Sequence, residues 1–319
     1  MAELALTPLS FIVVNRNTAD LLAKCLDNIL QSNLRYKPEV LVVDNGSIDD
    51  SVARVKRHYP EVIVIEAGCN LGFAAANNKA LRQAKGDFVL LVNTDALLDK
   101  DCAQSLLDLM TADSRVGMVG PQLLNGDGSL QTSYEAAPTL ATETLNRSLL
   151  KRLFPWRFPG KGGKLSQPKE VEALIGAVMM IRRLALEQLA GFDEDYFFFL
   201  EETDLAIRMR RAGWKVVHNP FARAVHLQGA TAKTYKASAR IEFYRSRYHF
   251  FRKHYGNGAA SLLKGVVIAN LTLNVAGLGL ASLITSGSLE RVAEKYRVRA
   301  ELWKWHLRGC PDGPGLPRT

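Results

Sequence analysis

The stretch Phe88-Val-Leu-Leu-Val-Asn-Thr-Asp95 decides how this 319-residue chain folds. Its apolar residues run without interruption through Val92 and then give way at once to Asn93-Thr94-Asp95. A short apolar run bounded by polar residues reads as a strand buried on both faces. Its end then lies on the carboxyl edge of an open α/β sheet, where such sheets bind ligands. A carboxylate placed there, Asp95, can hold a divalent cation through oxygen, and such a cation can carry a diphosphate.

Working outward, strand-like and helix-like segments alternate. Residues 9–14 form a first strand rich in β-branched residues, and Thr18 is expected to cap a helix with Leu22, Cys25, Leu26 and Ile29 at helical spacing. Strands follow at 40–43 and 62–65, with helices at 51–58 and 74–84. Alternation at this spacing implies parallel βαβ units in a doubly wound sheet. Later, a core strand is expected over 175–181, a helix after Tyr196–Leu200 that Gly213 ends, and short strands at 216–217 and 222–225. Between these parts, 125–170 is rich in glycine, proline and lysine or arginine, and reads as a mobile excursion able to fold over a ligand.

Charge divides the chain unevenly. Residues 227–319 hold 15 Lys+Arg against 5 Asp+Glu, whereas the first 226 hold 26 against 27. A basic excess confined to one end suggests an anionic surface partner. Within it, 265–284 is twenty residues without a charge, bordered on both sides by arginine and lysine. That length permits a membrane span, but Asn270, Thr272, Asn274 and the glycines weaken one. A helix lying in the interface of an anionic membrane fits the flanks better, with a buried or dimer-forming helix as the other reading. Nucleic acid is the poorest partner, since the tail carries no reader motif. The four cysteines are scattered without a C-x-x-C pair, which fits a reduced compartment, and the amino terminus reads as a first strand without the basic region of a signal peptide.

Several further residues carry chemistry. Asp44 follows a strand and precedes Asn45-Gly46-Ser47, a turn that can hold its carboxylate in the crevice to accept from a pyrimidine N–H. Asn70-Leu71-Gly72-Phe73 is a tight turn opening a helix, suited to close backbone approach and to phosphate at the helix amino terminus. Asn77 and Asn78 sit poorly inside a helix, so one faces a ligand or a neighbouring loop. In Glu201-Glu202-Thr203-Asp204, Asp204 and Arg208 are i, i+4 partners, while the two glutamates point about 100° apart, so at most one aims into a cleft. An acidic first helical turn is also favoured by the macrodipole alone. His226 closes a strand in Ala224-Val225-His226, where imidazole suits a metal already held by Asp95.

In this order the motifs resemble those of family-2 glycosyltransferases of the GT-A fold, nearest the bacterial rhamnosyltransferase-like branch that builds cell-surface polysaccharides. The resemblance covers about residues 10–255 and rests on Val13-Val14-Asn15, Asp44 to Ser47, Asn70 to Phe73, Asn77-Asn78, Asn93 to Asp95, Gly176-Ala177, Gly191 to Asp193, Glu201 to Asp204 and Ala224 to His226. It implies a nucleotide site built from Asn15, Asp44, Asn45, Asn70, Gly72, Phe73, Asn77 and Asn93, with Asp44 on the base. It also implies a Mg²⁺ or Mn²⁺ ion on Asp95 and His226, with Glu202 as the base that deprotonates the acceptor hydroxyl. Three positions depart from the family pattern. Asn93 stands for the first acidic residue of D-x-D, Glu202 for the more usual aspartate, and Ala76 for a common glycine.

The implied protein has a catalytic domain over 1–240 and a helical, basic and apolar region over 241–319. It inverts the anomeric centre of a nucleotide sugar, dTDP-rhamnose or alternatively a UDP-sugar, on transfer to a saccharide or lipid-linked acceptor. It works in the cytoplasm, on the inner face of the cell membrane, with a homodimer as one candidate assembly. A non-catalytic nucleotide-sugar-binding partner subunit is the competing reading, and in it the carboxylate of Glu202 is dispensable.

Overall fold

A computed structural model of the chain describes residues 8–145, 152, 165–227, 236–284, 290–313 and 315–318. Much of the expected excursion, with Pro155, Pro159, Gly160 and Gly163 and the basic residues Lys151, Arg157, Lys161 and Lys164, lies outside the described residues.

Strands β1 (Leu9–Asn15), β2 (Glu39–Asp44), β3 (Ile63–Glu66) and β4 (Phe88–Val92) are linked by helices α1 (Ala19–Leu30), α2 (Ser51–His58) and α3 (Phe73–Leu81). They pair in parallel in the order β3-β2-β1-β4, as expected from the alternation. Strands β1, β2 and β4 are largely apolar on both faces because helices cover both, whereas β3 is a partly exposed edge. Phe11, Val13, Val40, Val42, Leu90 and Val92 pack beneath α1, with Leu22, Cys25, Leu26 and Ile29. The alternate residues Ile12, Leu41, Val43, Val89 and Leu91 pack against Ala74, Ala76 and Ala80 of α3 on the other side.

The sequence reading passed over the next segment, which supplies a short strand β5 (Ala96–Leu98), helix α4 (Cys102–Ala112) and strand β6 (Val116–Leu124). A two-residue strand β7 (Tyr134–Glu135) and a one-turn helix α5 (Leu140–Thr144) follow, so the first part of the excursion is built around ordered hydrogen bonds. After β8 (Lys169–Glu170) and β9 (Ala173–Leu174), strand β10 (Val178–Arg182) inserts antiparallel between β4 and β6. The single core strand expected over 175–181 is therefore broken. Only its part from Val178 is in a ladder, and Ile175-Gly176-Ala177 stay outside, between β10 and the preceding β9, which pairs with β7.

Helices α6 (Arg183–Gln188) and α7 (Glu201–Arg211) lead to strand β11 (Lys215–His226). The two short strands expected there are one twelve-residue strand whose register slips between Asn219 and Arg223, around Pro220. A proline lacks the ladder N–H, so the slip falls where the chain cannot pair. Strands β1–β4, β6 and β11 share one direction, with β5, β8 and β10 against it, giving a mostly parallel sheet.

Three helices close the chain: α8 (Lys236–Tyr255), α9 (Asn257–Ile284) and α10 (Glu290–Leu307). Phe250, Phe251, Leu263, Val267, Leu271, Leu302 and Trp305 form their own core, which reaches the sheet domain through Tyr196 and Ile207. The polar joint is Asp204. Fully buried, it accepts from Arg208 Nε at 2.7 Å within α7, and from Lys253 Nζ and His254 Nε2, each at 2.8 Å, on α8. Burial opposes its ionisation. The hydrogen bonds from His254 and Lys253 and the charge of Arg208 overcome that and hold the carboxyl well below the ordinary carboxylate range.

A carboxyl so depressed adds stability at pH above the usual carboxylate range, and the contribution is lost as pH falls through and below that range. We expect Asp204→Ala, which leaves Arg208, Lys253 and the His254 ring N–H without their buried acceptor, to cost about 3–5 kcal/mol. Urea unfolding at neutral pH measures this, and the gap between the two proteins should narrow as the medium is acidified.

Candidate active site

Strand register sets the site. Asn15 at the end of β1 pairs with Asp44 at the end of β2, and Ile12 pairs with Leu91, so Asn93-Thr94-Asp95 leaves the sheet at the same level. Connections depart in opposite directions on the two sides of β1, which makes this edge the switch point of the sheet. A cleft of about 350 Å³ opens there. Of the residues singled out in the sequence, Asn45, Asn70, Gly72, Phe73, Asn93, Asp95 and His226 line it.

Asp95 and His226 meet because β11 returns antiparallel to β5, pairing His226 with Ala96. The Leu227 N–H also donates to the Asp95 carbonyl at 2.9 Å. His226 Nε2 then lies 3.4 Å from Asp95 Oδ1. Its Nδ1 lies 2.8 Å from Gln131 Oε1, and the Gln131 amide donates onward to the His226 carbonyl and to Asn125 Oδ1. An amide oxygen can only accept, so Gln131 holds the ring proton on Nδ1 and leaves the Nε2 lone pair facing a carboxylate. Two acceptors facing each other fit a cation between them, and an imidazole fixed through its far nitrogen is a common preparation for a metal ligand. Cys25 lies behind this pair. Burial, with the Asp95 charge adding to it, pushes its thiol up to about 12, so it stays protonated and unreactive.

The nucleotide-side turns brace each other. Asn45 Nδ2 donates to Asn70 Oδ1 and to the Gly72 carbonyl, while its Oδ1 accepts from the Leu71 N–H. Gly72 has φ +83°, and a Cβ there would lie 2.4 Å from the Phe197 carbonyl oxygen, so only glycine fits. Asn70 Nδ2 donates to the Pro317 carbonyl, and Leu316 lines the cleft, so the segment 315–318 lies across this rim.

Other expected residues stand outside the lining. Asn15 is fully buried behind Asp44, to which it donates at 3.3 Å, and the other Asp44 oxygen accepts from the Ser47 N–H. Asn77 is turned back on its own helix and donates to the Phe73 carbonyl, which removes it from the cleft. Asn78 is the one that binds a neighbouring loop, through the Phe192 backbone. Thr18, by contrast, does line the cleft, and it precedes α1 without capping it. Its hydroxyl donates to Asn15 Oδ1 at 2.7 Å, and Asp49 accepts from the first helical N–H instead.

Glu202 is held against Gly176, where a Cβ would lie 3.4 Å from its Cγ. The next carbonyl, that of Ala177, accepts from the Asn93 N–H at 2.9 Å. Glu202 and the Asp95 loop therefore flank the three-residue break between β9 and β10, although Glu202 is not among the residues lining the cleft. Burial, with the Glu135 carboxylate adding to it, pushes Glu202 up to about 7. Glu201 is more deeply buried and stands well above its usual range, from burial first and then from the charge of Glu202. Its Oε2 has no partner among the described residues, as suits a neutral carboxyl. Two successive residues before these glutamates, Phe199 (φ 74°) and Leu200 (φ 68°), are left-handed. That conformation costs roughly 1–2 kcal/mol per non-glycine residue, and here it turns Phe199 into the cleft wall.

Asp193, Asp195 and His249 also cluster outside the cleft, with ligand atoms within 4.8 Å of one another. Lys253 Nζ lies 2.6 Å from Asp193 Oδ2 and already supplies the cation there.

A mostly parallel sheet with a carboxylate and an imidazole at its switch point defines a nucleotide-sugar transferase of the GT-A type. The chain belongs to glycosyl transferase family 2, which it matches over residues 10–190. Among curated proteins it is 29% identical to an N-acetylglucosaminyl-diphospho-decaprenol L-rhamnosyltransferase of Mycobacterium tuberculosis, over 73% of this chain and 81% of that one. It is 26% identical to the rhamnosyltransferase WbbL of Escherichia coli K12, over 67% and 81%. Among solved structures, the Pyrobaculum calidifontis mannosyltransferase in complex with GDP-Man and Mn²⁺ superposes with a TM-score of 0.53 at 19% identity, covering 95% of this chain and 86% of that one.

Gln131 was not legible as functional beforehand, since it lies in the irregular stretch after Gly128 with no motif around it. We expect Gln131→Leu to raise the Mn²⁺ concentration needed for half-maximal effect roughly 10–100-fold, without unfolding the protein. Metal titration followed by thermal shift and by donor turnover measures it.

Proposed function

We propose that the chain is an inverting, metal-dependent glycosyltransferase that moves a deoxyhexose from a nucleotide donor to a saccharide carried on a lipid. The observation that carries this is the Gln131-oriented His226 facing Asp95, with Glu202 on the other side of Gly176-Ala177. Asp95 and His226 would hold a Mg²⁺ or Mn²⁺ ion, which when bound offsets the charge of the departing nucleoside diphosphate. Asn45, Asn70 and the Gly72-Phe73 turn hold the nucleotide, with the amino end of α3 directed at its phosphates. Asn15 and Asp44 shape the base end from behind.

Glu202 takes the proton from the acceptor hydroxyl as that oxygen attacks the anomeric carbon. The carbon–oxygen bond to the diphosphate breaks in the same displacement, so the configuration inverts. A carboxylate near pKa 7 is a stronger base than an exposed one, yet remains ionised for a large part of the time at neutral pH. Similarity to the mycobacterial and Escherichia coli rhamnosyltransferases supports dTDP-rhamnose as donor, with a UDP-sugar as the alternative. It equally supports a lipid-diphosphate-linked acceptor.

In this reading residues 1–240 form the catalytic unit, and 241–319 hold it at the inner face of the cell membrane. Residues Asn257–Ala281 of α9 are apolar enough and long enough to cross a membrane, with only 17% of the apolar window buried in the fold. Leu262, Leu273 and Leu280 are exposed on it. The same helix packs on α10 and α8, which carry the flanking cations, so an interfacial seat on anionic headgroups suits it.

We expect Glu202→Gln to lower kcat by about 10²–10⁴ while leaving donor-induced thermal stabilisation intact. In the wild type, turnover should rise with pH through about 7 as the carboxylate forms, and the variant should lose that limb. A variant that keeps wild-type turnover would instead favour a non-catalytic partner subunit. Flotation with vesicles containing anionic lipid should recover the protein, less so at high salt. A homodimer formed without lipid and blind to vesicles would assign the apolar face of α9 to a second copy.

A further inference from the structure

A second concavity adjoins the donor cleft. It lies between α8 and α10, has a volume of about 540 Å³, and shares Phe199 and Ala239 with the cleft. Its apolar wall is made by Phe199, Phe243 and Val298, the two rings meeting edge to face at 5.7 Å between centroids. Three cations, Arg240, Lys295 and Arg299, stand around that wall against one carboxylate, Glu294. Arg299 is steadied by Asn274 Oδ1 at 2.9 Å, which ties the groove to α9 and its exposed apolar face.

An apolar wall bearing a cluster of guanidinium and ammonium groups is chemically matched to one kind of ligand, an anionic head on a long hydrocarbon. A sugar alone would leave the three cations without an anion, and a bare phosphate has no use for the rings. We infer that this groove seats the diphosphate and first isoprenoid units of the lipid-linked acceptor. The diphosphate lies on Arg240, Lys295 and Arg299, and the chain runs over Phe243 and Val298 toward α9. The saccharide then projects past Phe199 into the cleft, where its hydroxyl meets the donor. Phe199 becomes the residue that divides lipid from sugar, which accounts for the strained backbone that positions it.

The inference rests on the transferase reading but is tested apart from it. The full-length protein in detergent is titrated with farnesyl diphosphate, farnesol and inorganic diphosphate. Farnesyl diphosphate should bind tightest, because only it satisfies wall and cations together. The double substitution R240E/K295E should weaken it by at least about tenfold, and Phe243→Ala should weaken it while sparing inorganic diphosphate. Donor-induced thermal stabilisation should be unchanged in both variants, and the KM for a lipid-diphosphate acceptor should rise with kcat retained. Unchanged farnesyl diphosphate affinity in R240E/K295E overturns the proposal. So does equal binding of inorganic diphosphate, which marks a free-anion site. Loss of anionic-vesicle binding with farnesyl diphosphate affinity intact also overturns it, assigning the groove to headgroups. Failure of the wild type to bind any nucleotide sugar, by contrast, defeats the transferase reading itself.

Discussion

The site depends on one electrostatic constraint, a histidine lone pair held facing a carboxylate. His226 reaches Asp95 only because β11 runs the full length of the sheet, slips register near Pro220 and still arrives opposite β5. Gln131 fixes the ring through Nδ1 and so presents Nε2 to Asp95, where a cation shared by the two would complete the pair. Such arrangements persist when a ligand completes them.

The second constraint is the three-residue break at Ile175-Gly176-Ala177. Gly176 lets the Glu202 side chain pack against the backbone there, and the Ala177 carbonyl accepts from the Asn93 N–H one step beyond the Val92–Val178 pair. By leaving the ladder there, the chain brings the elevated carboxyl of Glu202 and the loop of Asp95 to the same edge from opposite sides. The pair Glu201 and Glu202 shows how burial sorts neighbours of identical chemistry. The deeper one is kept neutral, and the shallower one titrates where proton transfer is useful.

Much of this could be read from the sequence, and the reasons for the rest are physical. The first four strands were legible because each is an apolar run that stops at a polar residue, and the stops at Asn15, Asp44 and Asn93 mark the cleft. The segment holding β5, α4 and β6 escaped the pattern because β5 is only three residues long and Gly117, Gly120 and Pro121 interrupt the apolar run of β6. Strand β11 was split because Pro220 resembles an end when it is only a slip. Asn77 was placed in the site because a buried asparagine in a helix wants a partner, but its partner proved to be its own helix. Thr18 erred the other way, with a hydroxyl that turns from the helix toward the site. Gln131 could not be foreseen, since its role depends on a contact 95 residues away in sequence.

The Asp204 cluster also bears on whether the molecule can be divided. The carboxylate sits on the helix that carries Glu202, but two of its three hydrogen-bond donors sit on α8. A cut after residue 240 would leave a fully interior anion with Arg208 alone. It would also strip the cover from Tyr196 and Ile207, so the sheet unit and the helices that follow it stand or fall together. Evolution could therefore not exchange these helices as a cassette without re-solving the charge beneath the helix that carries Glu202.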